Sequence, residues 1–248
     1  MTPEEVAAAV AGPIGRLGAA FMTDRATLAH GGELGYQGWP FYFGGRGGVL
    51  GDVDADVVHA AFAFFPSDAV RRGWESARAV DPAQRNAEAY ATCCREWGRA
   101  HLTGVPSLEE LCELLELAAG AVEPPGLPLF AGWRAMALPE DPPARAAQLL
   151  HVMREHRGGV HAIAVLASGM RPLEAVVSGP NGAEVAAFLG WEPPYPDPAP
   201  LAERRAAAER ATDVLAARGY ALLGEDAGKR LARLVVMCEE RLEVTGSR

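Results

Sequence analysis

The chain has 248 residues, of which 49% are hydrophobic, and a formal net charge of −9 at pH 7. This length supports one large hydrophobic core or two smaller ones. The negative charge disfavours non-specific DNA binding, which depends on neutralising phosphates with Lys and Arg. No unbroken apolar run approaches the roughly 18–20 residues of a membrane span, and the acidic N-terminus does not resemble a signal peptide. We therefore expect a soluble, cytoplasmic protein without a membrane partner.

Helical periodicity dominates the chain. Apolar residues recur at three-to-four spacing over residues 3–22, where Pro13 is expected to separate two helices. Asp54 is a good N-cap for a helix that ends at Pro66. Further helices are predicted behind Ser67, Asp81, Ser107 and Asp141, and over residues 172–178, 181–189 and 200–217.

The helix behind Asp141 is expected to span residues 142–156. Gly158 and Gly159 follow, and glycine is unfavourable in the interior of a helix. We therefore predict an interruption there and a separate short, buried helix over Val160–Ser168.

The C-terminal segment has the order of a winged helix-turn-helix. A charged helix over residues 200–217 precedes a short apolar piece, Tyr220–Leu223, a turn, and a terminal helix over residues 227–243. Helix, short hairpin and helix is the order of a wing region. The proline-rich residues 191–200 before it are predicted to be a linker.

A weak internal repeat divides the rest of the chain. A shift of 87 residues aligns Phe43 with Phe130, Gly45 with Gly132, Asp54 with Asp141, Ala60 with Ala147, and Phe62 with Leu149. We predict a mainly α fold with a few short strands, built from two related helical modules, 1–104 and 105–192. A winged-helix-like segment, 200–248, would pack on them. Such a fusion mimics a symmetric dimer, whose interface often forms a cleft.

The segment Phe41–Gly51 combines three aromatic residues, five glycines and one arginine. It lacks the GxxxxGK[ST] pattern of a phosphate-binding loop. One interpretation is that Tyr42, Phe43 and Arg46 face a ligand. The other is close backbone packing, with Arg46 buried and bridging the two halves through backbone carbonyls. His59 and Phe62 on the following helix are either core residues or part of the lining of an apolar pocket.

A second candidate cluster is the run Arg154-Glu155-His156-Arg157. His156 is a candidate general acid–base, and Arg157 is assigned to the same catalytic group. Arg154 or Arg157 would fix a carboxylate or phosphate by a two-pronged contact. The alternative is a cationic helix terminus without a ligand. His161 is a further candidate ligand-binding residue.

No metal or cofactor is expected. A metal site would need His151, Glu155, His156 and His161 to converge, and these residues lack the HExxH order. The four cysteines form no CxxC pair, and we predict free, buried thiols in a reducing compartment. They are Cys93, Cys94, Cys112 and Cys238.

The segments Phe41–Gly51 and Val57–Pro66, with Arg154–Gly158 and His161, resemble the SalK/EvbL-like helix-turn-helix family of high-GC bacteria. The resemblance covers roughly residues 5–243. The chain has Ala63 where the family usually has Asn, and Gly159 where it has Asp. The resemblance implies a helix-turn-helix type of fold and an association with natural-product pathways.

Three functions follow from these residues. The first is a small-molecule-binding protein of natural-product metabolism, with its ligand in a cleft between the modules. The second is a winged-helix transcriptional regulator that binds DNA through the basic C-terminal segment, a role that the net charge disfavours. The third is a cofactor-independent enzyme with His156 as general base. The sequence leaves the oligomeric state open.

Overall fold

The computed structural model describes residues 1–246, and the backbone over this range is helical without any strand. The helices in chain order are α1 (Pro3–Ala20), α2 (Arg25–Glu33), α3 (Trp39–Gly47), α4 (Ala55–Phe62), α5 (Ser67–Val80), α6 (Ala83–Leu102), α7 (Leu108–Ala121), α8 (Pro128–Ala135), α9 (Pro142–Ala167), α10 (Pro172–Val177), α11 (Gly182–Leu189), α12 (Ala202–Ala217) and α13 (Gly224–Gly246). The mainly α class is confirmed, and the expectation of a few short strands is wrong for the described residues.

Helix α9 is the central element of the fold. It packs against α1, α6, α7, α8 and α12, so nearly all of its faces are covered. The predicted interruption at Gly158 and Gly159 is wrong, because α9 continues through both glycines to Ala167. Two glycines cost about 2 kcal/mol of helix propensity, which packing on several sides of α9 outweighs. Gly159 also admits Leu127, whose Cδ2 would lie 2.6 Å from a Cβ at that position.

Helix α1 is also continuous, so the predicted division at Pro13 is wrong. By length and composition, the stretch Pro3–Glu33 is long and apolar enough to cross a membrane, although it contains no unbroken apolar run of that length. Half of its most apolar window is buried inside the fold. Helix α1 packs against α9, α12 and α13, as a core helix of a soluble protein does.

The glycine-rich segment forms α3 and a following 3₁₀-helix, Gly48–Leu50. A Cβ at Gly45 would lie 2.4 Å from the ring of Tyr90, and one at Gly48 would lie 2.1 Å from the carbonyl oxygen of Ala83. The glycines therefore let α3 and the 3₁₀-helix lie directly on α6. The interpretation of close backbone packing is confirmed.

The two halves of the 87-residue repeat have similar local structure. Asp54 and Asp141 both cap a helix: their carboxylates accept hydrogen bonds from the backbone N–H groups of Asp56 and Ala144. The indole Nε1 of Trp133 donates a hydrogen bond of 3.2 Å to the carbonyl oxygen of Arg46, a residue 87 positions earlier. Equivalent positions of the two halves thus contact each other. The division into two modules stays a prediction.

The C-terminal segment contains no hairpin over its described residues, 200–246. Arg218–Tyr220 form a 3₁₀-helix and α13 starts at Gly224, so the predicted wing is absent from the described residues. Tyr220 and Leu223 are buried, whereas Leu222 is 65% exposed. A strand would bury residues two apart, and burial of residues three apart fits a helical turn instead.

The predicted cysteine chemistry is confirmed. All four cysteines are free and buried. Burial raises the pKa of Cys93 to about 11 and that of Cys112 to about 12, so both are neutral thiols at pH 7.

Candidate functional site

A cavity of about 1160 Å³ lies beside the second half of α9. Helices α1, α3, α4, α8 and α11 contribute most of the other walls, and α2, α10 and α12 contribute a few residues. The volume lies just above the range of about 300–1,000 Å³ that is usual for small-molecule sites. Seven aromatic residues line the cavity, namely Trp39, Tyr42, Phe62, Phe64, Phe65, Phe130 and Phe188.

The mouth of the cavity exposes apolar side chains. Six large hydrophobic residues at the lining are at least 39% exposed: Leu28, Trp39, Ile163, Leu166, Val185 and Phe188. Phe188 and Leu166 are more than 60% exposed, and Trp39 contacts the Phe188 ring edge-on with 5.1 Å between centroids. A concentration of exposed apolar side chains at one opening marks a binding surface more often than a solvated one.

The polar floor of the cavity is a charged triad of Arg46, Glu155 and Arg154. The Nε and Nη2 atoms of Arg46 donate parallel hydrogen bonds of 2.8 Å to the two carboxylate oxygens of Glu155. Arg154 donates a further hydrogen bond of 2.8 Å to Glu155 Oε1. The Glu155 side chain is 1% exposed and that of Arg46 is 10% exposed, while that of Arg154 is 26% exposed. Arg154 is therefore the member of the triad most open to a ligand.

The electrostatics of this triad leave one positive charge. Burial alone would raise the pKa of Glu155, but Arg46 and Arg154 hold it down at about 2. Burial likewise opposes the charge on Arg46, and the facing Glu155 carboxylate raises the pKa of Arg46 above its ordinary value. His151 contacts the same carboxylate, and burial lowers its pKa to about 4, so it is neutral at pH 7. Two guanidinium groups and one carboxylate then sum to a net charge of about +1.

Aromatic rings hold Arg46 in place. Its guanidinium lies 4.5 Å from the centroid of the Phe62 ring, and Nη1 donates a hydrogen bond of 3.0 Å to the hydroxyl of Tyr42. Both contacts fix the plane of the guanidinium that faces Glu155. Arg46 thus bridges α3 and α9 and lines the cavity as well. A buried, bridging Arg46 is therefore compatible with an Arg46 that lines a ligand site. The bridge runs through the carboxylate of Glu155 and not, as was expected, through backbone carbonyls.

His161 lies further along the cavity wall, where a hydrogen-bond relay sets its tautomer. The Thr212 hydroxyl donates a hydrogen bond of 2.7 Å to the carbonyl oxygen of Ala208. With that proton on Ala208, His161 Nδ1 carries the ring proton in its 2.9 Å contact with Thr212 Oγ1. Burial lowers the pKa of His161 despite the neighbouring Glu209 carboxylate, which favours the neutral ring. Its Nε2 is then a free lone pair, and the ring packs on Phe64 with 5.4 Å between centroids.

Gly158 keeps the wall between these two polar positions open. Arg154, Gly158 and His161 are spaced four and three residues apart, so they follow one face of α9. A Cβ at Gly158 would have no atom within 4 Å. The absent side chain leaves room for a ligand along about 10 Å of helix between Arg154 and His161.

The structure brings together six of the nine predicted site residues. They are Tyr42, Arg46, Phe62, Arg154, Arg157 and His161. Arg157 is bound by an acidic pair on α12, at 3.2 Å from Asp213 and 3.9 Å from Glu209.

Phe43, His59 and His156 are not part of the cavity lining. Phe43 is 2% exposed in the core beside α4 and α5. His59 Nε2 lies 3.2 Å from the carbonyl oxygen of Phe65. His156 is 2% exposed and packs on Phe130, and burial lowers its pKa to about 4.

Sequence reasoning missed the central role of Glu155, which it considered only as one member of a possible metal site with three histidines. The signal available was a lone acidic residue between two arginines in a helix with apolar flanks. Trp39 and Phe188 were also missed, because nothing in their local sequence separates them from ordinary surface aromatics. Among the described residues, no group of three or more His, Cys, Asp or Glu is arranged to hold a metal ion.

The fold and the cavity define a helical protein with an aromatic and cationic site. A helix-turn-helix family profile matches residues 7–199, more than half of the chain. The protein belongs to this helix-turn-helix family. The matched range ends before α12 and α13, so membership does not depend on the segment predicted to be a wing. No match was found among curated proteins or among solved structures.

Proposed function

We propose that the protein binds a small organic molecule in the cavity beside α9, in the cytoplasm and as part of natural-product metabolism. The observation that carries the proposal is the cavity of about 1160 Å³, which combines seven aromatic residues with a cationic floor. Aromatic and aliphatic lining with few fixed polar groups is the usual composition of a ligand site. The metabolic context comes from the resemblance to the SalK/EvbL-like family alone.

The glycine at position 158 also supports this proposal. In the interior of an exposed helix face, alanine is more favourable than glycine by about 1 kcal/mol. Nothing packs against Gly158 that would require a glycine. A ligand that occupies the space above Gly158 would explain why this position has no side chain.

The test is a thermal-shift screen with aromatic and polyketide-like acids on the wild type and two variants. Gly158→Leu places a side chain in the cavity, and its Cβ meets no protein atom within 4 Å. Gly120→Leu on α7 is the matched control, because a Cβ at Gly120 would also have no atom within 4 Å and Gly120 lies outside the cavity lining. Ligands should raise the melting temperature of the wild type and of Gly120→Leu but not that of Gly158→Leu. Equal shifts in all three proteins would place binding elsewhere.

DNA binding is the second candidate function, and family membership favours it. Some of the basic residues of α12 and α13 are neutralised by carboxylates, however. Arg205 pairs with Glu209 at 2.6 Å, and Arg230 pairs with Glu110 at the same distance. A regulator should bind a short duplex in low salt and lose affinity in Arg204→Ala or Arg210→Ala. Absence of binding at low salt would exclude this function.

An enzymatic role with His156 as general base is the third candidate. Its ring is buried outside the cavity lining, so a substrate in the cavity would reach it only after a rearrangement. This role predicts that His156→Ala abolishes turnover and retains ligand affinity. Turnover equal to that of the wild type would eliminate it.

A further inference from the structure

The cavity presents two fixed polar groups at opposite ends of an apolar wall. At one end the triad of Arg46, Glu155 and Arg154 has one uncompensated positive charge. At the other end His161 offers a lone pair at Nε2, because its Nδ1 proton is held by Thr212. Between them Gly158 leaves the wall flat.

We propose that the ligand is an amphipathic monoanion, with a carboxylate bound by Arg154 and a hydroxyl or N–H donor bound by His161 Nε2, separated by an apolar, preferably aromatic, body. This inference rests on the proposed ligand-binding function and specifies its chemical class. A second anion at the His161 end is disfavoured by the acceptor lone pair. The two arginines of the lining near His161 are already paired, Arg157 and Arg205 with the acidic residues of α12. A cationic ligand is excluded by the charge of the floor.

Arg154 is the anion-binding member of the triad for a geometric reason. Arg46 uses Nε, Nη1 and Nη2 on Glu155 and Tyr42. Arg154 uses only Nη1, in a hydrogen bond to the same carboxylate. Its remaining N–H groups have no partner among the described residues, and its side chain is the most exposed of the three. A carboxylate there would complete the pairing of two cations with two anions.

The donor specificity at His161 depends on the relay from α12. Thr212 is completely buried, and its hydroxyl proton is committed to Ala208. To turn its N–H towards the cavity, His161 would have to draw the Thr212 hydroxyl away from Ala208, so that Thr212 donated to Nδ1 instead. Nε2 has no protein partner among the described residues, and it is not one of the buried unpaired atoms of the core. With Thr212 bonded to Ala208, Nε2 accepts a hydrogen bond from the ligand and does not donate one.

The experiment uses three probes that share one body: 4′-hydroxybiphenyl-4-carboxylate, biphenyl-4-carboxylate and 4-hydroxybiphenyl. The first probe has a carboxylate and a hydroxyl at opposite ends, the second lacks the hydroxyl, and the third lacks the carboxylate. Calorimetric Kd values are measured for wild type, Arg154→Gln, His161→Phe and Gly158→Leu. Arg154→Gln retains a donor for Glu155, and His161→Phe retains a ring against Phe64. Melting curves verify that each variant is folded.

For the wild type, the Kd of the bifunctional probe should be about fivefold lower than that of the probe without the hydroxyl. It should be at least about tenfold lower than that of the probe without the carboxylate. His161→Phe should abolish only the hydroxyl preference, and Arg154→Gln only the carboxylate preference. If every probe binds equally to wild type and both variants but not to Gly158→Leu, the cavity binds ligands and the assigned class is wrong. If no probe binds and the wider screen gives no shift that Gly158→Leu removes, the proposed function itself fails.

Discussion

Arg46 and Glu155 are joined by two parallel hydrogen bonds of 2.8 Å, although 109 residues separate them in the chain. The pair connects α3 to α9 and at the same time forms the floor of the cavity. A buried ion pair is strongly destabilising when one partner is removed, because the other charge is left without compensation.

We therefore expect Glu155→Gln to lower the free energy of unfolding by about 3–5 kcal/mol at pH 7. Urea denaturation measures this change. The control is Asp56→Asn, which breaks the exposed pair of Asp56 with Arg71 and should cost less than about 1 kcal/mol. A Glu155→Gln variant as stable as the control would show that the triad contributes nothing to folding.

Two glycines that lie on different helices should respond oppositely to alanine. A Cβ at Gly18 would lie 2.6 Å from the carbonyl oxygen of Leu150, where α1 crosses α9. Gly18→Ala should destabilise the protein by about 1–3 kcal/mol through overpacking. Gly158→Ala meets no atom and should stabilise it by about 0.5–1 kcal/mol. Thermal melts of both variants test the prediction, and a stability loss in Gly158→Ala would contradict it.

Stability should fall between pH 7 and pH 5 because of buried histidines. His151 and His156 have pKa values of about 4 in the fold, below the ordinary value of 6.5. Their contribution is complete above pH 6.5 and decreases as pH falls towards 4, because the unfolded chain binds protons first. The expected loss at pH 5 is about 2 kcal/mol for each histidine.

His156→Phe should remove the part of this pH dependence that His156 contributes, about 2 kcal/mol at pH 5, while retaining a ring against Phe130. The pKa of Glu155, about 2, affects stability only below its ordinary value of 4.5, so the two effects occupy separate pH ranges. Urea denaturation at pH 7 and pH 5 gives the comparison. An unchanged pH dependence in His156→Phe would mean that this ring is not held neutral by burial.

The two capping aspartates offer a matched comparison across the 87-residue repeat. Asp54→Ala should cost about 1 kcal/mol through loss of the N-cap. Asp141→Ala should cost somewhat more, because Asp141 also accepts a hydrogen bond of 2.7 Å from Arg99, a half-exposed pair of about 0.2–1 kcal/mol. Denaturation midpoints of both variants decide the order, and Arg99→Met should remove the difference.

The sequence was sufficient for the helical class and for the aspartate caps of α4 and α9, because those depend on residues close together in the chain. Ser107 precedes α7 as predicted, but it makes no side-chain cap there. Asp54 and Asp141 are recognisable from their own neighbourhoods. The continuity of α9 was not predictable in this way, since local propensity argues for a break at Gly158 and Gly159. Packing from α1, α6, α7, α8 and α12 overrides that propensity.

In the site, too, the features that depend on local sequence were predictable and those that depend on distant contacts were not. Arg46 and Arg154 are identifiable as candidates from residue type and context, whereas Glu155 is not recognisable as their shared partner. Its role depends on a contact across 109 residues, which no local pattern encodes. The motif favours His156 over His161, yet five positions along a helix rotate a side chain by about 140° around the axis, into a different environment.

The flat wall at Gly158 has a consequence for anyone who engineers this protein. Selection for heat resistance alone would favour alanine or leucine at this position, since either improves the helix and begins from a Cβ that meets no neighbour. Each such gain would close the space that the cavity keeps. Variants recovered from a thermostability library should therefore be sequenced first at codon 158. Substitutions there raise the stability of the fold and at the same time reduce the space for a ligand.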